Sequence, residues 1–438
     1  MARGGALMPG ARADERMIAR FDALFAELSE IGRANGTGLH RLAFGAADAE
    51  ARAVFAARAG ALGLHVHTDE IGNQFALVRP PAPADRTVLL GSHLDSQPDG
   101  GRFDGQLGVA AALAVVAELG AGGGTGGGAD GGTGGASSAG AGAANVGAVN
   151  WANEEGARFQ PSVMGSSVFT GQLALRPALA ARDAGGAALG EELAQRGLAG
   201  GTALPGTVVA YAELHVEQGP VLEREGIELG IVDRTWAAYK ADVRVHGVQT
   251  HTGPTPMAQR VDALAAAGRL IAQLRELGLA DPEQALHTAA AWMRITPNSP
   301  NATPSLVEFK AELRSPDEAR LRAARAALTA AAGELERETG VRCEFGVWSE
   351  RRAVGFDPAA VALASAAVAA AGIRARRVPT IAGHDAVIMN AAGIPTALLF
   401  TPSADGITHH AAEYTAPADQ HRGVRALAAV AAALIARV

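Results

Sequence analysis

The chain of 438 residues has little cysteine and no strongly basic segment. Cys343 is the only cysteine, which excludes an intramolecular disulfide and a thiolate metal site of the zinc-finger type. The formal net charge is -7, the pI is near 6.0, and no run of lysine and arginine stands out. These charges argue against nucleic acid as a partner, because binding to phosphates needs a positive surface.

The sequence also lacks an apolar run that is persuasive as a membrane span. The Ala-rich segments 361–371 and 426–438 are apolar but short, which suits helices packed on a sheet. The segment 1–21 contains arginines together with Asp14 and Glu15, and it lacks the continuous apolar core of a signal peptide. We therefore expect no membrane partner and a cytoplasmic location.

The length and a hydrophobic content of 48% favour a large core divided between two domains. In the N-terminal part, strand-like and helical segments alternate, which is typical of an α/β sheet with covering helices. Residues 87–91 and 146–151 are predicted strands, and residues 106–119 are a predicted buried helix. The segment 120–145 is dominated by Gly, Ala, Ser and Thr, and we interpret it as a flexible insertion.

The pattern changes near Asp233. From residue 233 to residue 347 it predicts an inserted α+β sandwich in the order strand, helix, two strands, helix, strand. The predicted strands are 239–245, 289–295, 305–313 and 341–347, and the predicted helices are 260–277 and 317–338. The predicted fold is therefore an α/β mixed-sheet domain covered by helices, residues 1–232 and 348–438, interrupted by a smaller α+β domain, residues 233–347.

Three segments concentrate carboxylates and a histidine near predicted strand ends. GSHLD at 91–95 and NEEG at 153–156 each follow an apolar run, and GGRFDG at 100–105 lies between them. A pair of catalytic metal ions needs a shared carboxylate, histidine or carboxylate ligands on either side, and a free carboxylate that takes a proton from water. The three segments contain most of these groups. They indicate a two-metal hydrolase that cleaves an amide.

Six segments carry a family resemblance. They are GSHLDSQPDGGRFDGQLGV, VNWANEEGARF, ELHVEQG, HTGPTPM, AGHDA and GITHHAAEYT. In this order they resemble the M20-type metal-dependent amidohydrolases, and within them the branch of N-carbamoyl-L-amino-acid hydrolase, β-ureidopropionase and allantoate amidohydrolase. The M20 peptidases usually have a carboxylate where His215 stands. The resemblance therefore implies N-carbamoyl or ureido substrates rather than peptides.

The resemblance assigns a metal-binding role to five residues. It makes Asp104 the bridging carboxylate, with His93 and His215 on one ion. It places Glu155 and His409 on the other ion. Two divalent ions per subunit are implied. Zinc is the first expectation, and manganese, cobalt or nickel suit the same ligand types.

Two carboxylates next to these ligands receive other roles. The resemblance makes Glu154 the general base. Adjacent residues on a loop point in different directions, so Glu155 can face a metal while Glu154 faces the water. Asp95 lies two residues after His93, where it is placed to fix the orientation of that imidazole.

The remaining histidines need separate interpretations. We interpret five of them as ordinary polar residues without a ligand role: His40, His65, His67, His246 and His287. His410 adjoins His409 and is the alternative ligand at that position. Matching the flanking residues GI and EYT with the family places the ligand at His409.

The resemblance also assigns substrate contacts, partly to the inserted domain, which forms the homodimer interface in the family. His251 matches a histidine that stabilises the tetrahedral oxyanion in the partner subunit. Arg314 matches an arginine that binds the substrate carboxylate, a task that suits the planar guanidinium fork. Gln218, Asn301 and His384 match further polar contacts. The alternative for His251 is a turn histidine without a role, and the alternative for Arg314 is a surface ion pair. For Gln218, Asn301 and His384 the alternative is ordinary structural hydrogen bonding.

The implied reaction is hydrolysis of the carbamoyl or ureido C–N bond of an N-carbamoyl-L-amino acid, which yields the amino acid, carbon dioxide and ammonia. An allantoate amidohydrolase or a β-ureidopropionase would use the same metals and base. A metal-dependent dipeptidase is disfavoured by His215. A non-catalytic binding protein is disfavoured because Glu154 and the ligands are all present.

Overall fold

The computed structural model describes residues 10–122 and 144–438, which form two compact units. The first unit comprises the chain up to Asp233 together with Phe356–Val378 and Gly383–Val438. The second unit comprises Arg234–Gly355 and Pro379–Ala382. The insertion expected at 120–145 lies mostly outside the described residues, although residues 120–122 belong to the end of a helix and Asn145 begins a strand.

Helices and strands alternate along most of the chain. The α-helices are α1 (Ala11–Glu30), α2 (Ala46–Ala61), α3 (Gln106–Gly122), α4 (Met164–Phe169), α5 (Leu175–Leu179), α6 (Leu189–Arg196), α7 (Val221–Glu225), α8 (Ala263–Leu279), α9 (Glu318–Thr339), α10 (Pro358–Ala370), α11 (Asp385–Ala391) and α12 (Pro417–Arg437). The strands are β1 (His65–Thr68), β2 (Gln74–Leu77), β3 (Arg86–His93), β4 (Asn145–Trp151), β5 (Thr207–Val216), β6 (Leu229–Thr235), β7 (Ala237–His246), β8 (His287–Thr296), β9 (Leu306–Ser315), β10 (Arg342–Phe345), β11 (Ser349–Arg351), β12 (Ala375–Thr380) and β13 (Thr396–Thr401). None of the helices in the described part of the chain combines the length and the hydropathy that crossing a membrane requires.

The first unit is built on a mixed eight-stranded sheet in the order β1-β2-β4-β3-β5-β13-β6-β12. The centre of the sheet is parallel, because β3 pairs with β4 and β5, and β5 pairs with β13, all in the same direction. Toward the edges, β2 runs antiparallel to β4, and β6 runs antiparallel to β13. Consecutive residues of β3 and β4 are buried, as expected for parallel strands covered on both faces. The predicted α/β fold class with a mixed sheet is confirmed.

Helix α3 packs closely on the centre of this sheet because it has a glycine at the contact. A Cβ atom added at Gly108 would lie 2.2 Å from the carbonyl oxygen of Leu214 in β5 and 2.8 Å from the Cβ atom of Ser92 in β3. Real side chains do not tolerate such contacts, so Gly108 sets the distance between the helix and both strands. The start of α3 is thereby held beside the carboxyl ends of β3 and β5.

The second unit contains an antiparallel sheet in the order β10-β7-β9-β8, with β11 also paired to β7. Tyr239 of β7 and Leu313 of β9 share one core with Leu270 of α8 and Leu328 of α9. Burial alternates along β7 and β9, so one face of the sheet packs on the helices and the other face is polar. For β7, this alternation is the pattern that predicts the strand from the sequence.

The second unit extends beyond residue 347, the predicted end of the inserted domain. Strand β11 pairs with β7, and Arg234 forms a β-bridge with Gly355. The segment Pro379–Ala382 also belongs to this unit, and the backbone N–H of Trp236 donates to the carbonyl oxygen of Thr380 at 2.9 Å. These segments are too short to show a periodic pattern, so their pairing partners could not be inferred from the sequence.

The contact at Gly108 predicts that Gly108→Ala destabilises the first unit by about 1–3 kcal/mol, because the new methyl group overpacks the helix–sheet contact. Gly60 in α2 is the control, since a Cβ atom there has no heavy atom within 4 Å. Gly60→Ala should stabilise its helix by about 0.5–1 kcal/mol. Urea denaturation followed by circular dichroism measures both changes, and equal stabilities of the two variants would contradict the packing argument.

Candidate metal centre

The candidate metal ligands lie at one edge of the first unit's sheet. His93 ends β3, His215 lies near the end of β5, and Glu155 follows β4. These three strands are parallel neighbours, and His93 pairs in register with Trp151, the last residue of β4. The carboxyl ends of parallel strands meet at the same edge, where open α/β sheets bind their ligands.

The carboxylate of Asp104 stands between two groups of possible ligands. Its Oδ1 atom lies 3.6 Å from Nε2 of His93 and 3.1 Å from Nε2 of His215. Its Oδ2 atom lies 3.3 Å from Nε2 of His409, which in turn lies 3.5 Å from Oε2 of Glu155. Two clusters of suitable donor atoms, His93–Asp104–His215 and Asp104–Glu155–His409, therefore share one carboxylate.

Both buried imidazoles present their Nε2 atoms to Asp104. Nδ1 of His93 lies 2.9 Å from the backbone carbonyl oxygen of Asp95, and Nδ1 of His215 lies 3.0 Å from the backbone carbonyl oxygen of Val216. A carbonyl oxygen only accepts hydrogen bonds, so the proton of a neutral ring is on Nδ1. The lone pair of Nε2 then faces the carboxylate, which is the state of an imidazole that binds a metal.

Asp95 supports the site differently from the sequence expectation. Its carboxylate lies 3.8 Å from Nδ1 of His93, whereas its backbone carbonyl makes the closer contact to that ring. The two carboxylate oxygens accept hydrogen bonds from the backbone N–H groups of Glu154 and Glu155, at 3.1 and 3.2 Å. Asp95 therefore fixes the loop that carries the two glutamates.

The side chains of Glu154 and Glu155 point in different directions. Oε2 of Glu154 lies 3.6 Å from Nε2 of His93, on the side of the first group. Glu155 lies beside His409 and accepts hydrogen bonds from Gln97, whose Nε2 donates to Oε2 at 2.9 Å. The two carboxylates thus face different parts of the candidate site.

The site places several carboxyl groups close together in a buried medium of low polarity, which disfavours their charged forms. Burial raises the pKa of Glu154 well above its ordinary value, and it raises the pKa values of Glu155 and Glu413 to about 7. Although burial acts in the same direction on Asp104, hydrogen bonds from the protonated rings of His215 and His409 hold its pKa well below the ordinary value. Closely spaced buried carboxylates with imidazole nitrogens suit divalent cations such as zinc, manganese, cobalt or nickel.

His409 rather than His410 faces the shared carboxylate. The ring of His409 contacts Asp104 and Glu155, with 47% of its side chain exposed to solvent. His410 is exposed, and its Nδ1 atom accepts a hydrogen bond from the backbone N–H of Ala412 at 3.1 Å. Of the two neighbouring histidines, the geometry supports His409 as the possible ligand.

The match to known proteins covers this whole region. Residues 89–433 match the family described as peptidase family M20/M25/M40. The chain belongs to this family. It is 39% identical to a protein of Mycolicibacterium smegmatis that is named as a hydrolase, over 94% of this chain and 92% of that protein. It is 33% identical to an N-carbamoyl-L-amino-acid amidohydrolase of Rhizobium meliloti, over 88% and 89% of the two chains.

Among solved structures, a hydantoinase/carbamoylase-family amidase from Burkholderia vietnamiensis is similar to this M20 chain, with a TM-score of 0.85 and 33% identity over 96% of this chain and 97% of that one. These relationships confirm the resemblance to M20-type amidohydrolases that the motifs indicate. They also confirm, at the level of the family, the predicted class of hydrolases that act on linear amide C–N bonds.

Glu413, which was not predicted from the sequence, also contacts this candidate site. Its Oε1 atom accepts hydrogen bonds from the backbone N–H groups of Phe103 and Asp104, each at 2.9 Å. A Cβ atom at Gly101 would lie 2.1 Å from the Cδ atom of Glu413, so only glycine leaves room for this carboxylate. The segment EYT contains this glutamate, but a carboxylate that binds backbone from 309 residues away has no local pattern.

Two further buried residues, Glu213 and His384, lie next to His215. Glu213 accepts hydrogen bonds from the hydroxyl of Ser92 and the backbone N–H of Ala386, both at 2.8 Å. The ring of His384 packs edge-on against His215 with 4.5 Å between the ring centroids. His384, expected to contact substrate, is therefore buried next to a candidate ligand, while Glu213 was missed although it lies in the quoted segment ELHVEQG.

Gln218 contacts the shared carboxylate directly. Its Nε2 atom donates to Oδ2 of Asp104 at 3.0 Å, on the same oxygen that faces His409. The backbone of Gln218 has a positive φ of 58°, an uncommon conformation for a residue with a side chain. We expected a substrate contact for Gln218, and the structure shows a hydrogen bond that fixes Asp104.

The other expected substrate residues lie in the second unit. His251 forms a β-bridge with Ala302, and its Nδ1 atom accepts from the backbone N–H of Gly253 at 3.0 Å. Asn301 lies beside this bridge, with its carbonyl oxygen accepting from the backbone N–H of Thr252. His251 and Asn301 are thus neighbours, whereas Arg314 is near the end of β9.

Metal binding by this M20 protein should release protons. A ligand must lose its proton to coordinate an ion, and the buried Glu155 has a pKa of about 7. Burial lowers the pKa of His409, but the hydrogen bond with Asp104 and the charge of Glu155 raise it to about 9. Zinc affinity should therefore rise from about pH 6 to about pH 9, because fewer protons compete at higher pH.

Calorimetric titration of zinc into the protein in buffers of different ionisation enthalpy measures the number of protons released. The variants Glu155→Gln and His409→Gln should each release fewer protons than the wild type. The same proton release in all three proteins would show that these two groups do not coordinate the ion.

Proposed function

We propose that this protein hydrolyses the carbamoyl C–N bond of N-carbamoyl-L-amino acids. The observation that carries the proposal is the placement of Asp104, with one oxygen facing His93 and His215 and the other facing His409. A carboxylate shared between two ligand groups is what a two-metal hydrolase requires. The 33% identity with an N-carbamoyl-L-amino-acid amidohydrolase supports the substrate class.

The residues around this carboxylate fit two divalent ions, one held by His93 and His215 and the other by Glu155 and His409, with Asp104 between them. When bound, such ions lower the pKa of water and polarise a carbonyl group. That activation suits a urea-type carbonyl, which is a weak electrophile because its nitrogen lone pairs donate into it.

Glu154 is proposed as the group that moves the proton. It is buried, lies 3.6 Å from Nε2 of His93, and is fixed through its backbone by Asp95. Burial raises its pKa well above the ordinary value, which makes the carboxylate more basic. In the proposed reaction it accepts a proton from the attacking water and returns it to the leaving nitrogen. Water thus adds across the C–N bond, and the products are the amino acid and a carbamate that decomposes to carbon dioxide and ammonia.

The inserted unit is proposed to supply the remaining substrate contacts. His251 has one ring nitrogen occupied by the backbone N–H of Gly253, which leaves Nε2 to face an oxyanion. Arg314 is proposed to act on the substrate carboxylate, and Asn301, next to His251, is a further polar contact. The proposal includes a homodimer formed through this unit, in which His251 serves the partner subunit.

A substrate panel tests the proposed reaction. Protein loaded with zinc or manganese is incubated with N-carbamoyl-L-amino acids, N-carbamoyl-β-alanine and allantoate, and ammonia release is measured. We expect release from the N-carbamoyl-L-amino acids. Release from allantoate or N-carbamoyl-β-alanine alone would move the protein to another activity of the same branch, and cleavage of dipeptides alone would contradict the proposal.

The role of Glu154 gives a sharper prediction. Glu154→Gln should lower kcat by about 100- to 10,000-fold, because the amide cannot accept the proton of water. Its metal content should stay at the wild-type level, since Glu154 belongs to neither cluster that shares Asp104. Glu155→Gln is the matched control on the neighbouring residue and should lose metal as well as activity. Normal turnover by Glu154→Gln would remove it from the mechanism.

A further inference from the structure

A row of four paired residues crosses the sheet of the second unit. Arg351 of β11 pairs with Ala238 of β7, and Ala238 pairs with Arg314 of β9. Arg314 also pairs with His287 of β8. Directly paired residues of antiparallel strands point to the same face of a sheet. Arg351 and Arg314 therefore lie on one face, with only the small side chain of Ala238 between them.

This row lies on the face that is turned away from α8 and α9. Tyr239 and Leu313, which follow and precede members of the row along the chain, are buried in the core with those helices. Because successive side chains of a strand alternate between faces, the row points the other way. The side chain of Arg314 is 25% exposed, so a small ligand can reach the row.

The cations at the far end of this face each form an ion pair with an acidic residue. Arg244 and Arg294 both form ion pairs with Glu308, and Lys310 forms an ion pair with Asp242 at 2.7 Å. With three cations and two carboxylates, these contacts leave one positive charge unbalanced at that end of the sheet.

Around the row itself, cations outnumber carboxylates. Lys240 and Arg314 both form ion pairs with Glu312, at 2.9 and 2.7 Å. Arg351 adds a third positive charge beside the same carboxylate. His287 contributes no charge near neutral pH, because burial, together with the charge of Arg314, lowers its pKa. Three cations against one carboxylate leave two positive charges in excess at this end of the face, compared with one at the far end.

The two arginines of the row differ in what they already bind. The guanidinium of Arg314 is engaged by the protein: Nε donates to Glu312 at 2.7 Å, and Nη1 donates to the carbonyl oxygen of Ile381 at 2.6 Å. Nε of Arg351 is buried, and within residues 10–122 and 144–438 it has no hydrogen-bond partner. Burial and the charge of Arg314 lower the pKa of Arg351, and the nearby carboxylate of Glu312 offsets only part of this change.

We propose that Arg351 is a specificity-determining residue that binds the carboxylate of the substrate, in a site of two guanidinium groups completed by Arg314. The inference rests on the proposed function only in taking the substrate carboxylate as the anion. Arg314, held by Glu312 and Ile381, positions one side of the site, and Arg351 supplies N–H groups in the fork geometry that matches a carboxylate.

The test compares N-carbamoyl-L-alanine with its neutral carboxamide. For Arg351→Gln we expect a KM for the acid that is about 10- to 100-fold higher than in the wild type, from the loss of charge-assisted hydrogen bonds, with kcat nearly unchanged. The KM for the carboxamide should not change. Arg351→Lys should recover only part of the affinity, because an ammonium lacks the planar fork. Arg352→Gln, at the next and exposed position, is the matched control and should behave as the wild type.

A binding measurement separates this inference from the proposed reaction. Calorimetric titration of N-carbamoyl-L-alanine into Glu154→Gln, with and without Arg351→Gln, reports carboxylate binding without turnover. If the wild type releases no ammonia but binding still depends on Arg351, the proposed reaction fails and the anion site stands. If Arg351→Gln binds the acid as tightly as its parent, or if the acid and the carboxamide bind equally, the inference is overturned. Circular dichroism establishes that the variants are folded.

Discussion

The candidate metal centre depends on one carboxylate whose two oxygens occupy different surroundings. Oδ1 of Asp104 faces His93 and His215, and Oδ2 faces His409 while accepting a hydrogen bond from Gln218. A displacement of this single group would disturb both ligand clusters together. Two hydrogen bonds hold Asp104 in place: Glu413 accepts from its backbone N–H, and Gln218 donates to one oxygen of its side chain.

The sheet sets the positions of the candidate ligands, and glycines let neighbouring segments approach one another closely. Parallel pairing brings the ends of β4, β3 and β5 to one edge, and Gly108 lets α3 lie directly on β3 and β5. Gly105, next to Asp104, has a φ of +66°, and a Cβ atom there would lie 2.4 Å from Cε1 of His93. The loop can therefore bring its carboxylate to the imidazole only with glycine at this position.

Hydrophobic pattern and motif order predicted the parts of the protein that have local signals. The buried strands around 87–91 and 146–151, the helix that follows Asp104 and the alternating strands of the second unit were predicted in this way. The contacts that could not be predicted join distant segments: Glu413 to the backbone of Asp104, β11 to β7, and the carboxylate of Asp95 to the Glu154 loop. These pairings are fixed by the tertiary fold, and a short segment such as β11 has no periodicity to reveal them.

If Asp104 lies between two metal ions, as proposed, each ion can be located directly. Anomalous diffraction from crystals grown with zinc, recorded on both sides of the zinc absorption edge, locates each ion independently of any activity. We expect two anomalous peaks per chain, one between Asp104 and the pair His93 and His215, and one between Asp104, Glu155 and His409. A single peak, or two peaks that both leave Asp104 without a contact, would contradict the proposal.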